Sequence, residues 1–128
     1  MNRVLLVDDD RSIRRIAQIA LAEVGHFQVM LASTGQEALN LAQKEQPDLV
    51  LLDVMMPEMD GFAVLIKLQK DPTTSAIPVI FMTASVTEDE QLQYRTLGVR
   101  GVIVKPFDPM TLAEQIKHIL SENEGSIR

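Results

Sequence analysis

Asp8, Asp9, Asp53, Thr83 and Lys105 are the residues of this sequence whose types could do chemistry together, and all stand at the ends of apolar runs. Carboxylates can hold a hard cation or act as nucleophiles, a lysine supplies a point positive charge, and a threonine hydroxyl donates a hydrogen bond. Three carboxylates gathered in a small space repel one another and would hold protons unless a cation offset them. Oxygen donors in small number suit Mg²⁺, which keeps several waters and takes few protein ligands. A metal, a lysine and a hydroxyl around a free carboxylate form a receptor for a dianion, and phosphoryl transfer is mostly positioning and charge stabilisation of this kind. Asp53 can then serve as the nucleophile and form an acyl phosphate.

Singly, each residue has a plainer reading. Asp8 to Asp10 could cap a helix, Asp53 could sit in a turn, Thr83 could end a strand, and Lys105 could be a solvated charge. What sets them apart is their common place after buried strands. Leu49 to Leu52 is four aliphatic residues without polar alternation, which reads as a strand buried on both faces. The Val-Met-Met-Pro-Glu-Met-Asp-Gly stretch that follows Asp53 cannot continue that strand, because Pro57 lacks an N–H and Gly61 marks a turn. Arg3 to Val7, Pro78 to Met82 and Gly101 to Val104 read as further strands, and Phe27 to Ala32 as a short fifth.

Helices fill the intervals. Ile13, Ile16, Ala17, Ala20, Leu21 and Val24 predict one apolar stripe ending at Gly25, with Asp10 or Ser12 as its cap. Thr34 and Glu37 predict a capping box for a helix to about Gln46, with Ala38, Leu39, Leu41 and Ala42 facing inward. Asp60 caps a helix over Phe62 to Lys70, and Asp71 to Ser75 form a loop. Thr87 and Glu90 begin a helix over Glu88 to Leu97 whose few apolar residues predict weak docking. Asp108 and Pro109 are placed at the Ncap and first turn of the last helix, with Leu112, Ile116, Ile119 and Leu120 buried. The expected organisation is one domain over 1–121 and a polar, frayed tail over 122–128. Five strands alternating with five helices predict an α/β, doubly wound parallel sheet, whose ligands bind beyond the carboxyl ends of the strands.

The chain has 128 residues, a formal net charge of −6, no cysteine and two histidines. Disulfides, thiolate metal sites and a zinc centre are excluded, so any metal must be held by oxygen. The acidic balance argues against nucleic-acid binding, and no stretch is long and apolar enough to span a membrane. The N-terminus reaches an acidic turn after four apolar residues, which does not fit a signal peptide, and a cytoplasmic location is expected. The seven methionines are read as gap fillers, and His26 and His118 as surface residues.

Val7-Asp8-Asp9, Asp53 within Asp-Val-Met-Met-Pro-Glu-Met-Asp-Gly, Thr83-Ala84 and Lys105-Pro106-Phe107 together make the chain resemble the receiver domains of two-component response regulators, over essentially Arg3 to Leu120. The resemblance implies a flavodoxin-like sheet in the order 2-1-3-4-5 and a single-domain regulator of the chemotaxis type. It implies a phosphoprotein that is no enzyme in the ordinary sense but assists its own phosphorylation and dephosphorylation. Asp53 would receive a phosphoryl group from a histidine kinase or phosphotransfer protein. Asp9, Asp53 and the Met55 carbonyl would ligate Mg²⁺ directly, and Asp8 through water. Lys105, Thr83 and the Ala84 N–H would contact the phosphoryl oxygens, and a cis peptide is implied at Lys105–Pro106. One departure stands out: the family often carries an aromatic residue three positions before the lysine, and here that position is Val102.

The sequence ends soon after Leu120, so the expectation is a regulator that signals by binding an unknown downstream protein, with a piece of a larger regulator as the alternative. Three other functions remain in competition. A small aspartate-nucleophile phosphohydrolase would place its nucleophile in an Asp-x-Asp motif after the first strand. A flavin or nucleotide module would need a glycine- or hydroxyl-rich phosphate cradle there, and this loop is acidic. A phosphorylation-independent interaction domain would have no use for the intact acidic set.

Overall fold

A computed structural model describes residues 2–84 and 86–127, with side chains as far as Glu122. Five strands form one parallel sheet: β1 (Arg3–Val7), β2 (Gln28–Ala32), β3 (Leu49–Asp53), β4 (Val79–Thr83) and β5 (Gly101–Val104). Their spatial order is β2-β1-β3-β4-β5, the doubly wound order expected. Every residue of β3 and of β4 is buried, which is what unalternated apolar runs demand of inner strands. Strand order reverses between β1 and β3, so the crevice beyond their carboxyl ends is where this architecture places ligands.

Five helices cover the two faces: α1 (Arg11–Ile19), α2 (Gly35–Glu45), α3 (Gly61–Lys70), α4 (Glu88–Thr96) and α5 (Leu112–Ile127). Val50, Leu52, Val79 and Phe81 point to one face, where Ala38 and Ala42 of α2, Val64, Leu65 and Leu68 of α3, and Tyr94 of α4 meet them. Leu49, Leu51, Ile80 and Met82 alternate to the other, against Ala17 of α1 and Leu112, Ala113 and Ile116 of α5. No helix among the described residues is long and apolar enough to cross a membrane.

Several local expectations change. The first helix passes at Ala20–Val24 into a π-helical turn, closed by the Gly25 N–H on the Ala20 carbonyl. Ala17, Ala20 and Leu21 are buried as expected, and the wider winding breaks the 3.6-residue phase and turns Val24 to solvent; Ile16, before the turn, lies at the exposed edge of the stripe. The capping box at α2 is half formed. Thr34 Oγ1 accepts from the Glu37 N–H, but the Glu37 carboxylate accepts from the Ser33 N–H at 2.7 Å rather than closing on Thr34. Asp108 does cap the entry to the last helix, its carboxylate accepting from the Met110 N–H at 2.9 Å and its carbonyl from Leu112, but 109–111 form a turn and regular α5 starts only at Leu112. Met55 and Met110 are exposed and fill no gap. The backbone is helical to Ile127, past the expected end at Leu120. Of the expected tail over 122–128, Arg128 and the side chains after Glu122 lie outside the described residues.

Candidate functional site

β1 and β3 lie side by side, with Val7 opposite Leu52, so the residues that follow them emerge together. Asp8 is fully buried and Asp53 is 3% exposed, whereas Asp9 faces solvent. Asp8, Asp9 and Asp53 each offer an oxygen within 4.8 Å of the others. Across from them β5 hands over to Lys105, whose ammonium lies 2.6 Å from Asp8 Oδ2 and 3.3 Å from Asp53 Oδ1. The peptide between Lys105 and Pro106 is cis. Thr83 ends β4 and is buried, and its carbonyl accepts from the Lys105 N–H at 2.7 Å. The Met55 N–H donates to Asp53 Oδ1 at 3.2 Å. Asp53, Met55, Ala84, Lys105 and the aspartates line one cleft of about 290 Å³. All the candidate residues therefore gather at one end of the sheet.

The electrostatics follow from the burial. Desolvation, with the neighbouring Asp8 charge, pushes the Asp53 pKa from 3.8 up to about 6, and Lys105 and the Met55 N–H only partly oppose this. Burial works to lower the Lys105 pKa, yet its hydrogen bond to Asp8 and the charges of Asp8 and Asp53 outweigh that and raise it. Three carboxylates facing one ammonium leave two formal negative charges unmatched when all are ionised. A divalent cation with oxygen preference fits that donor set in charge and in hardness.

Three residues support the site in ways the sequence does not announce. Asp10 was weighed only as a cap, and it does accept from the Ser12 and Ile13 N–H groups, but its own N–H also donates to Asp8 Oδ1 at 2.8 Å and fixes that carboxylate. Arg14 donates to the Asp8 carbonyl at 2.7 Å, a contact between residues six apart that no local pattern announces. Gly61 does more than turn the chain. A Cβ there would stand 2.6 Å from the Asp53 carbonyl oxygen and 2.8 Å from Val54 Cα, so α3 can approach the end of β3 only through glycine. Gly61→Ala is expected to lower stability by about 1–3 kcal/mol, since backbone rather than a flexible side chain must yield. Urea denaturation of the variant checks this, and an unchanged midpoint would show that the approach is slack.

The family model for the response regulator receiver domain matches residues 4–117. Among curated relatives, the probable transcriptional regulator ycf27 of Guillardia theta is 42% identical over 118 residues, covering 92% of this chain and 45% of that protein. Response regulator Rre1 of Synechocystis sp. is 36% identical over 123 residues, covering 96% of this chain and 53% of that protein. The chain spans about half the length of these curated relatives. Among solved structures, the chemotaxis protein CheY4 of Vibrio cholerae matches with a TM-score of 0.84 at 33% identity, covering 93% of this chain and 98% of that one. A CheY-like receiver domain protein from Methanospirillum hungatei matches with a TM-score of 0.82 at 30% identity, with 98% of each chain covered. On the strength of the family match, with the sheet order and the relatives in agreement, the chain belongs to the response regulator receiver domain family.

Proposed function

We propose that this receiver domain accepts a phosphoryl group on Asp53 from a histidine kinase or phosphotransfer protein and then signals by binding a downstream protein. The observation that carries the reading is the Lys105 ammonium held between the Asp8 and Asp53 carboxylates, with Asp9 beside them. An Asp53 oxygen forms a bond to phosphorus as the donor's P–N or P–O bond breaks, and the donor leaves with the bonding electrons. Lys105 lies where it can hold a phosphoryl oxygen, and the Ala84 N–H and Thr83 hydroxyl are the neutral donors for the others. Asp9, Asp53 and the Met55 carbonyl are the proposed direct holders of Mg²⁺, with Asp8 behind them. Bound there, Mg²⁺ would offset the carboxylates and the charge that develops on the phosphoryl group. In this reading the domain is a cytoplasmic phosphoacceptor that assists its own phosphorylation and dephosphorylation.

Acetyl phosphate with Mg²⁺ tests the proposal. A single acid-stable, base-labile phosphate on Asp53, absent without Mg²⁺, is the expected result. Fast turnover of many phosphate esters would point instead to a phosphohydrolase.

Met55 bears on how long that phosphate lasts. Its side chain is 73% exposed at the mouth of the cleft, where an apolar thioether can keep water from the line of attack on phosphorus. Met55→Asn is expected to speed dephosphorylation several-fold, as measured by loss of the labelled protein. An unchanged lifetime would remove the shielding role.

A further inference from the structure

A ring cluster joins α3, β4 and α4. Phe62 of α3, Phe81 of β4 and Tyr94 of α4 meet with centroids 5.4 to 5.6 Å apart, and Phe81 takes Tyr94 nearly edge to face. Tyr94 is the buried residue of α4, since Leu92 and the flanking Leu97 are exposed. One ring therefore anchors the helix.

That ring is placed to sense β4. Phe81 and Thr83 are two residues apart on an extended strand, so they share a face, and Phe81 lies in the same core cluster as Tyr94. Val102 of β5 pairs in register with Phe81 and packs against that cluster, but it brings no ring. Tyr94 supplies from the helix the aromatic surface that β5 does not.

Its hydroxyl reaches further. Tyr94 Oη donates to Glu90 Oε2 at 3.5 Å, while Glu90 Oε1 accepts from the Thr87 N–H at 3.0 Å and Thr87 Oγ1 accepts from the Glu90 N–H at 3.1 Å. The anchor and the cap of α4 thus share one carboxylate.

We infer that Tyr94 couples the end of β4 to α4, so that a change at Thr83 reaches the helix through Phe81 and the Tyr94 ring. The inference rests on Asp53 being the phosphoacceptor. A helix that responds to the phosphoryl group also acts back on the site, so removing the Tyr94 anchor is expected to change how readily Asp53 is phosphorylated.

The protein carries one tyrosine and no tryptophan, so its intrinsic emission reports residue 94 alone. Phosphorylation by acetyl phosphate with Mg²⁺ is followed by intact mass, alongside tyrosine emission and amide exchange over residues 88–96. In the wild type, phosphoryl uptake is expected to change both the emission and the exchange. Tyr94→Phe keeps the ring and is expected to keep the exchange response. Tyr94→Leu removes the anchor, and is expected to raise exchange before phosphorylation, abolish the response, and shift the acetyl phosphate concentration for half-maximal phosphorylation by about fivefold or more. A phosphorylated wild type with unchanged emission and exchange overturns the coupling, as does a Tyr94→Leu variant that responds like the wild type. Absence of any phosphoryl mass on the wild type removes the phosphoacceptor reading and this inference with it, so mass tells the two failures apart.

Discussion

Asp53→Asn is expected to abolish phosphoryl uptake and, in the metal-free protein at pH 7.5, to raise stability by about 3 kcal/mol. The loss of uptake follows because an amide is not a nucleophile towards phosphorus. The gain in stability follows from the raised pKa. Asp53 moves from 3.8 to about 6 on folding, because burial and the Asp8 charge disfavour its ionised form. A raised carboxyl pKa means that the folded state binds the proton more tightly than the unfolded one. Its stabilising contribution is fully present below about pH 4 and is lost as pH rises through about 6. About two units at 1.36 kcal/mol each set the size of the loss. Asparagine carries no such charge, and its amide oxygen can still accept from the Met55 N–H. Urea denaturation with a chelator present, at pH 4 and pH 7.5, measures the difference between variant and wild type. The variant's advantage should appear at the higher pH and nearly vanish at the lower. A pH-independent difference would show that Asp53 is not the strained group. Added Mg²⁺ should stabilise the wild type more than the variant, since a ligand that binds only the folded state adds its binding free energy.

Lys105→Met is expected to destabilise the metal-free protein by about 3–5 kcal/mol at pH 7.5, because it leaves buried carboxylates without their partner. Asp8 is fully buried and loses a contact at 2.6 Å, while Asp53 loses one at 3.3 Å. With the lysine gone, one of the influences that lower the Asp53 pKa is removed, so that pKa should rise further above 6. Acid should therefore rescue the variant: its deficit shrinks as pH falls and Asp53 takes a proton. Mg²⁺ should stabilise it more than it stabilises the wild type, because the cation then has no competing ammonium. Denaturation curves across pH, with and without Mg²⁺, test both points. A deficit that neither acid nor Mg²⁺ reduces would mean that lost packing, not unpaired charge, is responsible. Phosphorylation by acetyl phosphate should fall sharply in the same variant, since the donor would meet no point charge.

The parts of this molecule that were legible in one dimension are those written as local patterns. Unalternated runs such as Leu49 to Asp53 and Pro78 to Met82 can only be inner strands, and the burial of β3 and β4 agrees. Strand ends carrying Asp8, Asp53, Thr83 and Lys105 announced a site because parallel strands share a direction and deliver their last residues to one edge. The Thr87–Glu90 cap formed as its spacing predicts. Where patterns failed, a different contact had taken over. The π-helical turn at Ala20–Val24 displaced Val24 from the core, and Glu37 took the Ser33 N–H over its expected partner. Asp108 caps as expected, but a turn intervenes before regular helix begins at Leu112.

Residue type and period belong to the chain alone, and they were enough for the α/β class, the strand ends and the chemical kind of each group placed there. Which groups touch was settled by folding. Sheet order set Lys105 against Asp8 and Asp53, residues 97 and 52 positions away, and helix docking brought Gly61 against the end of β3. The same docking placed Tyr94, rather than any residue of β5, against Phe81. Contacts of this kind have no local signature, and the field that raises the Asp53 pKa exists only once burial has removed water from around that carboxylate.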